Sequence, residues 1–192
     1  MRMPRSPVFA AALFALLSAM APGAAAQPLV TVRGSAIAYR VDVPLGWEQS
    51  GGDDLMVGRD SVFIAVSATD LVPLQKTPLP GSVGEQRRLL TQRFMHSDTV
   101  MMAIVSRVAR NLDLAEDGRV LEVRTLGGQR AAYMSGRPVQ SRMKGMAHVY
   151  FTVKDGVMYL LTFNAMDTNP EKHQDLFDRV HRSFVLAEAP PS

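Results

Sequence analysis

The chain has 192 residues and no cysteine, with 21 Lys and Arg against 18 Asp and Glu. The lack of cysteine excludes disulfides, thiol catalysis, thiolate metal sites and thiol redox exchange. Two of the basic residues, Arg2 and Arg5, lie in an N-terminal leader, so the remainder carries 19 basic against 18 acidic residues, a net charge of +1. That balance argues against a nucleic-acid binder.

Met1–Ala26 reads as a secretory signal peptide. Arg2 and Arg5 make a positive start, and Val8–Met20 is apolar apart from Ser18 and too short to span a bilayer. Ala24-Ala25-Ala26 supplies the small residues a signal peptidase needs, which places cleavage between Ala26 and Gln27. The arginines are not adjacent, so a twin-arginine route is unsupported. No later segment is apolar enough to cross a membrane as a helix. The expectation is an exported, periplasmic or secreted domain over residues 27–186, with a disordered tail over 187–192.

Ile37–Val43 alternates Tyr39, Val41 and Val43 against Arg40 and Asp42, the pattern of a half-buried strand. Pro44-Leu45-Gly46-Trp47 ends it, and Ser50-Gly51-Gly52-Asp53 has turn chemistry. Leu55–Arg59 and Ser61–Thr69 form two further strands around Arg59-Asp60. In the second of these both sides are largely apolar, which predicts cover on both faces. Pro73–Gly81 is a loop. Ser82-x-x-Glu85 is a capping box that opens a helix over 83–96. Ser97-Asp98 begins a second helical stretch with Met101, Ile104, Val105, Val108 and Leu112 inward. One bent helix and two separate helices both fit the pattern over 83–112.

Asp117-Gly118 turns the chain into strand Arg119–Leu126, and Gly127-Gly128 turns it into Gln129–Arg137. Gly145–Lys154 and Val157–Asn164 then flank Asp155-Gly156, the signature of a two-residue type I′ turn. That turn fixes the register. Thr152 faces Tyr159, Tyr150 faces Leu161, Val153 faces Met158 and Phe151 faces Leu160. Large apolar side chains on both faces predict a place in the middle of a sheet, covered above and below. Thr168-x-x-Glu171 is a second capping box, with Pro170 in the first turn. The helix it opens, over 169–184, buries Leu176, Phe177, Val180 and Phe184.

In this order the strand ending Val43-Pro44-Leu45-Gly46-Trp47, the middle helix and the strands resemble the PsbP-like superfamily, which includes DcrB-type bacterial proteins. The closing run Tyr150–Ala165, the helix after it and Ser183-Phe184 are part of the same likeness, which covers most of residues 35–186. The resemblance implies an α/β fold of the α+β type, an α/β/α sandwich around a central, mostly antiparallel sheet. It also implies a binding or assembly accessory and no shared catalytic set. The matched positions are turns and core, so no site residue is carried over.

Several stretches have chemical potential. Ser50-Gly51-Gly52-Asp53-Asp54 has the Gly-Gly-acidic-acidic order of nucleotide cyclases, where backbone approaches phosphate and carboxylates hold metal. Without a phosphate-binding partner motif it reads as a plain turn. Met143-x-x-Met146-x-His148 offers soft ligands that suit copper, with Met146 and His148 on one face of a strand. His96, His173 and His181 lack ligand spacing and read as structural. There is no Gly-x-Ser-x-Gly elbow, His-Glu-x-x-His, P-loop or Rossmann glycine run.

Arg119, Arg124, Arg130, Arg137, Arg142 and Lys144 face only Glu122 in their stretch. If they share a face, they could meet an anionic partner. Trp47, the single tryptophan, follows a strand exit and is either a rim aromatic for a partner or a plug at one end of the sandwich. The expectation is an exported, non-enzymatic binding or assembly-accessory domain without a cofactor. It would contact an envelope protein or anionic envelope component through Trp47, Arg124, Arg130, Arg137 and Arg142. The alternative is a periplasmic carrier of a small molecule or of copper, the metal held by Met146 and His148.

Overall fold

A computed structural model describes residues 27–33, 39–50, 55–111, 113–116, 119–139, 145–167 and 169–186. The leader, Gly51–Asp54, Leu112, Asp117-Gly118, Arg142, Met143, Lys144, Thr168 and the tail over 187–192 lie outside these residues, and with them the expectations that fall there.

Ten strands and three α-helices follow one another among the described residues. Strands β1 (Leu29–Arg33), β2 (Tyr39–Pro44), β3 (Glu48–Ser50), β4 (Leu55–Arg59) and β5 (Val62–Asp70) come first. Helices α1 (Val83–Met95) and α2 (Asp98–Asn111) come next, then β6 (Val120–Leu126), β7 (Gln129–Gly136), β8 (Gly145–Lys154) and β9 (Val157–Met166). A short 3-10 turn, Pro170–His173, leads into α3 (Gln174–Ser183) and β10 (Val185–Leu186). All strand pairings are antiparallel. They build a seven-stranded sheet in the order β3-β4-β5-β9-β8-β7-β6 and a three-stranded sheet in the order β1-β2-β10.

The β8–β9 hairpin takes the register its turn dictates. Asp155 and Gly156 both have positive φ, 50° and 71°, and the four pairs Thr152–Tyr159, Tyr150–Leu161, Val153–Met158 and Phe151–Leu160 are all formed. The hairpin sits in mid-sheet, between β5 and β7. Because side chains alternate across a strand, the large sheet has two distinct faces. One carries Ile64, Tyr133, Tyr150, Leu161 and Phe163 against Phe177, Val180 and Phe184 and against the small sheet's Tyr39, Val41 and Val43. The other carries Ala132, Met134, Ala147, Val149, Phe151 and Val153 against Leu90 of α1 and Met101 and Val105 of α2. The result is three layers, an α/β/α sandwich.

Three details differ from the sequence reading, and a fourth point, which it left open, is resolved. β5 is fully buried on one side only, at Val62, Ile64 and Val66. Phe63, Ala65 and Ser67 are half-buried, because α1 and α2 lie over β7 and β8 and leave this part of the sheet bare. The stretch 83–112 holds two helices. Ser82 Oγ accepts the Glu85 N–H at 3.3 Å to start α1, and Ser97 Oγ accepts the Val100 N–H at 3.2 Å to start α2. Each hydroxyl satisfies a donor that a helix start leaves open. The last helix begins as a 3-10 turn at Pro170, with Asn169 as its N-cap and no side-chain cap bond. There Asp167 takes the Asn169 N–H at 3.1 Å. Finally, β1 and β10 flank β2 to make the small sheet, and neither was expected.

Candidate functional site

Among the described residues the basic stretch does not form one face. The β6–β7 hairpin pairs Arg124 with Ala131 and Thr125 with Arg130, so Arg124 and Arg130 point to opposite sides of the sheet. Arg130 forms an ion pair with Asp98 and donates to the Met95 carbonyl at 3.4 Å, on the side of α1 and α2. Arg119 is folded back on the Leu114 and Ala115 carbonyls at 2.6 and 3.2 Å. Arg137 is exposed at the end of β7. Trp47 lies across the molecule, beside β4 and β5, at the far side of the sheet from β6. The expected contact residues are thus spread over separate places.

Arg124 belongs to a polar and aromatic cluster beneath α3, together with His148. Its guanidinium carbon sits 3.6 Å above the Tyr133 ring, the geometry of a cation–π contact. Its Nε donates to Glu122 Oε2 at 2.9 Å, and NH1 lies 3.5 Å from Tyr150 Oη. Tyr133 Oη is 2.6 Å from His148 Nδ1. The His148 ring stacks on Phe177 at 4.5 Å, and Tyr150 stacks on His181 at 4.4 Å. His181 in turn bonds the Thr125 carbonyl through Nε2 at 2.9 Å.

Burial sets the electrostatics here. It pushes the His148 imidazole down to about 4; nearby Asp178 opposes the shift and the Arg124 charge adds to it. Burial also raises both Tyr133 and Tyr150, the Arg124 charge working against it in each case. His148 is therefore neutral at pH 7, and either tautomer leaves its buried Nε2 without a partner. The residue is only 4% exposed. A Tyr–His pair of this kind has the chemistry of an acid and a base, but it is walled off from any substrate that would need to touch it. Met146 shares the face of His148 on β8 and is half-buried. Among the described residues no group of three or more His, Asp and Glu is placed to hold a metal ion.

An open concavity lies at Trp47. A turn from Pro44 to Trp47, with Gly46 at φ 78°, swings the indole out of β2. The start of the described chain is fixed beside it, since Leu45 donates to the Pro28 carbonyl at 2.9 Å and Arg179 donates to the Gln27 carbonyl at 2.7 Å. Trp47, the β4–β5 turn Arg59–Val62, and Asp167, Lys172, His173 and Leu176 line a groove of about 550 Å³. A second groove, of about 450 Å³, opens on Met56, Phe63 and Met166 and shares Arg59–Val62 with the first. Trp47 is half-buried against the core, and its buried Nε1 has no hydrogen-bond partner. Such an atom costs about 1–3 kcal/mol in a folded chain. Asp167 receives Lys172 at 2.6 Å and His173 at 3.2 Å. Ser61 lines the same groove, but His173 commits Nε2 to Asp167 and no hydrogen bond joins His173 to Ser61. A serine, a histidine and a carboxylate are present there without the relay that links a nucleophile to its base.

The sequence reading missed Arg59, Lys172 and His173 as groove residues. They reach it from two separate segments, the β4–β5 turn and the 3-10 turn, and only Pro170, which opens the latter, marked a special local geometry.

No family model matches this chain, and no curated protein matches it. Among solved structures it is similar to the solution structure of cyanobacterial PsbP (CyanoP) from Synechocystis sp. PCC 6803. The TM-score is 0.51 at 16% sequence identity, over 86% of this chain and 96% of that one. At that identity the likeness concerns the fold, and the fold is PsbP-like.

Proposed function

We propose that the chain is an exported, non-enzymatic accessory domain, of the DcrB type within the PsbP-like class, that binds an envelope partner protein through the groove at Trp47. The groove carries this reading. It is open, and it joins an indole to Arg59 and Lys172, whose side chains are 66% and 53% exposed and reach Asp60 at 3.9 Å and Asp167 at 2.6 Å within the same groove. An aromatic beside exposed cations suits a partner segment that brings an apolar side chain next to an acidic group. His148 and Tyr159, both strongly shifted by burial, are 4% and 3% exposed and closed off from the groove, which supports a binding role over a catalytic one. Signal cleavage after Ala26 would leave one domain over residues 27–186. Among the described residues no helix is long and apolar enough to cross a membrane.

The test is in-cell photocrosslinking from a probe at Ser61. The expected result is one dominant envelope adduct, lost in Trp47→Ala and in the Arg59→Glu, Lys172→Glu pair. An adduct that survives both changes refutes the groove as the contact. A copper carrier remains the second reading, favoured by the unpartnered Nε2 of His148 beside Met146. Its mark would be a Cu(I)-dependent rise in thermal midpoint that disappears in His148→Ala.

A further inference from the structure

Among the described residues the large sheet stops at β6, and six of the seven β6 residues are exposed. An edge strand presents a row of unpaired N–H and C=O groups, which sheets commonly guard by brevity, proline or lysine. The opposite edge, β3, is three residues long. β6 contains neither proline nor lysine, and it shows Val120, Leu121 and Val123 to solvent at 40%, 42% and 39%. Its two charges, Glu122 and Arg124, have opposite sign and sit two residues apart.

The hairpin determines which backbone groups are free. Gly127 and Gly128 both have positive φ, 56° and 78°, and Leu126 pairs with Gln129 across them. In a two-residue hairpin the flanking pair is hydrogen-bonded, and bonded and non-bonded pairs then alternate. Val120, Glu122, Arg124 and Leu126 therefore turn their N–H and C=O toward β7. Leu121, Val123 and Thr125 turn theirs outward.

We propose that β6 pairs antiparallel with β6 of a second copy of this chain, about a two-fold axis at Val123, so that two sheets join edge to edge. This register uses all three outward-facing residues, with Val123 opposite itself and Leu121 opposite Thr125. It also sets Glu122 directly across from Arg124 of the second copy, twice over by symmetry. These charges fall on non-bonded pairs, where cross-strand side chains come closest. A register centred on Leu121 sets Glu122 against Val120, and one centred on Thr125 sets Arg124 against Leu126. Both lose the charge match. Arg124 already holds Glu122 of its own strand at 2.9 Å, so the pairing closes a ring of four alternating charges. On the other side of the sheet the exposed Val123 and Leu121 are covered. α2 packs mainly over β7 and β8, inboard of the edge.

Sedimentation equilibrium on the purified protein, from about 1 to about 300 µM, tests the pairing. An edge contact alone is small, so a Kd on the order of 10 µM is expected. Glu122→Arg alone and Arg124→Glu alone each place like charges opposite one another and should weaken the dimer about tenfold or more. The combined swap restores the complementarity and should restore the dimer. Val123→Pro deletes an outward N–H that the β7 ladder does not use, so the chain should fold and stay monomeric. Circular dichroism and thermal unfolding confirm folding of each variant. If Arg124→Glu does not fold, Glu122→Arg and Val123→Pro decide. A wild-type chain that stays monomeric at 300 µM overturns the proposal, as does a dimer indifferent to Val123→Pro or a combined swap that does not reassociate.

Discussion

The two faces of the large sheet solve the same packing problem with different chemistry. Under α1 and α2 the sheet offers alanine, valine, methionine and Phe151, met by Leu90, Met101 and Val105. Under α3 it offers tyrosines, a histidine and Phe163, met by Phe177 and Phe184. The first face is cover and little else. On the second, a single ten-residue helix and a small sheet close over groups that titrate, and the groove at Trp47 opens beside them. Burial has given this second face its electrostatic character, so truncation and acid should act there most strongly.

Removing one ring is the harshest test. Phe177 is 1% exposed and touches the rings of His148, Tyr150 and Phe163. Phe177→Ala should cost about 3–5 kcal/mol, toward the upper end because ring–ring contacts are lost along with area. Met101→Ala, on the aliphatic face, should cost about 2–5 kcal/mol and fall lower within that span, since neighbouring side chains can close the gap. Urea unfolding of both variants measures the difference. Met101→Ala proving the costlier change would reverse the ranking of the two faces.

Acid should separate the faces next. The unfolded His148 imidazole takes a proton near 6.5, whereas the folded one takes it only near 4. Between those values the unfolded chain binds more protons, so stability falls as pH drops and is insensitive to this group above about 6.5. The full loss by pH 4 is on the order of 3 kcal/mol. Tyr133, Tyr150, Arg124, Asp178 and His181 all face this site. The clean comparison is therefore wild type against His148→Gln in denaturant titrations from pH 4 to 8. The variant should lack this part of the pH slope. Equal slopes would mean that water reaches the imidazole in the native state.

What the sequence disclosed follows from how far each feature depends on distant partners. The β8–β9 hairpin was readable down to single pairs because Asp155-Gly156 and the apolar runs around it define the register locally. β1 was not, because Leu29–Arg33 gains strand geometry only through its pairing with β2. The PsbP-like sandwich was expected from the order of elements. The opposed directions of Arg124 and Arg130 were also within reach, since a two-residue turn at Gly127-Gly128 pairs 125 with 130 and so sends 124 and 130 to different faces. The groove was out of reach. Its walls come from Pro28, Trp47, Arg59 and Lys172, and only the closing of the sandwich brings them together.

The smallest effect compares how the helices on the two faces begin. α1 starts on a side-chain cap, where Ser82 Oγ accepts the Glu85 N–H, and Gln86 supports the approach by bonding the Leu79 carbonyl at 2.8 Å. The 3-10 turn before α3 has no such bond from Asn169; the Asp167 carboxylate takes the Asn169 N–H from outside the turn. Ser82→Ala should therefore cost about 1 kcal/mol, the usual worth of an N-cap hydroxyl. Asn169→Ala should change stability by less than about 0.5 kcal/mol, as a surface change away from any cap or core feature does. Paired thermal unfolding of the two variants reads the contrast. A cost at Asn169 equal to that at Ser82 would show that its side chain caps the turn after all, and that α3 closes the aromatic face on the same device that anchors α1 to the aliphatic one.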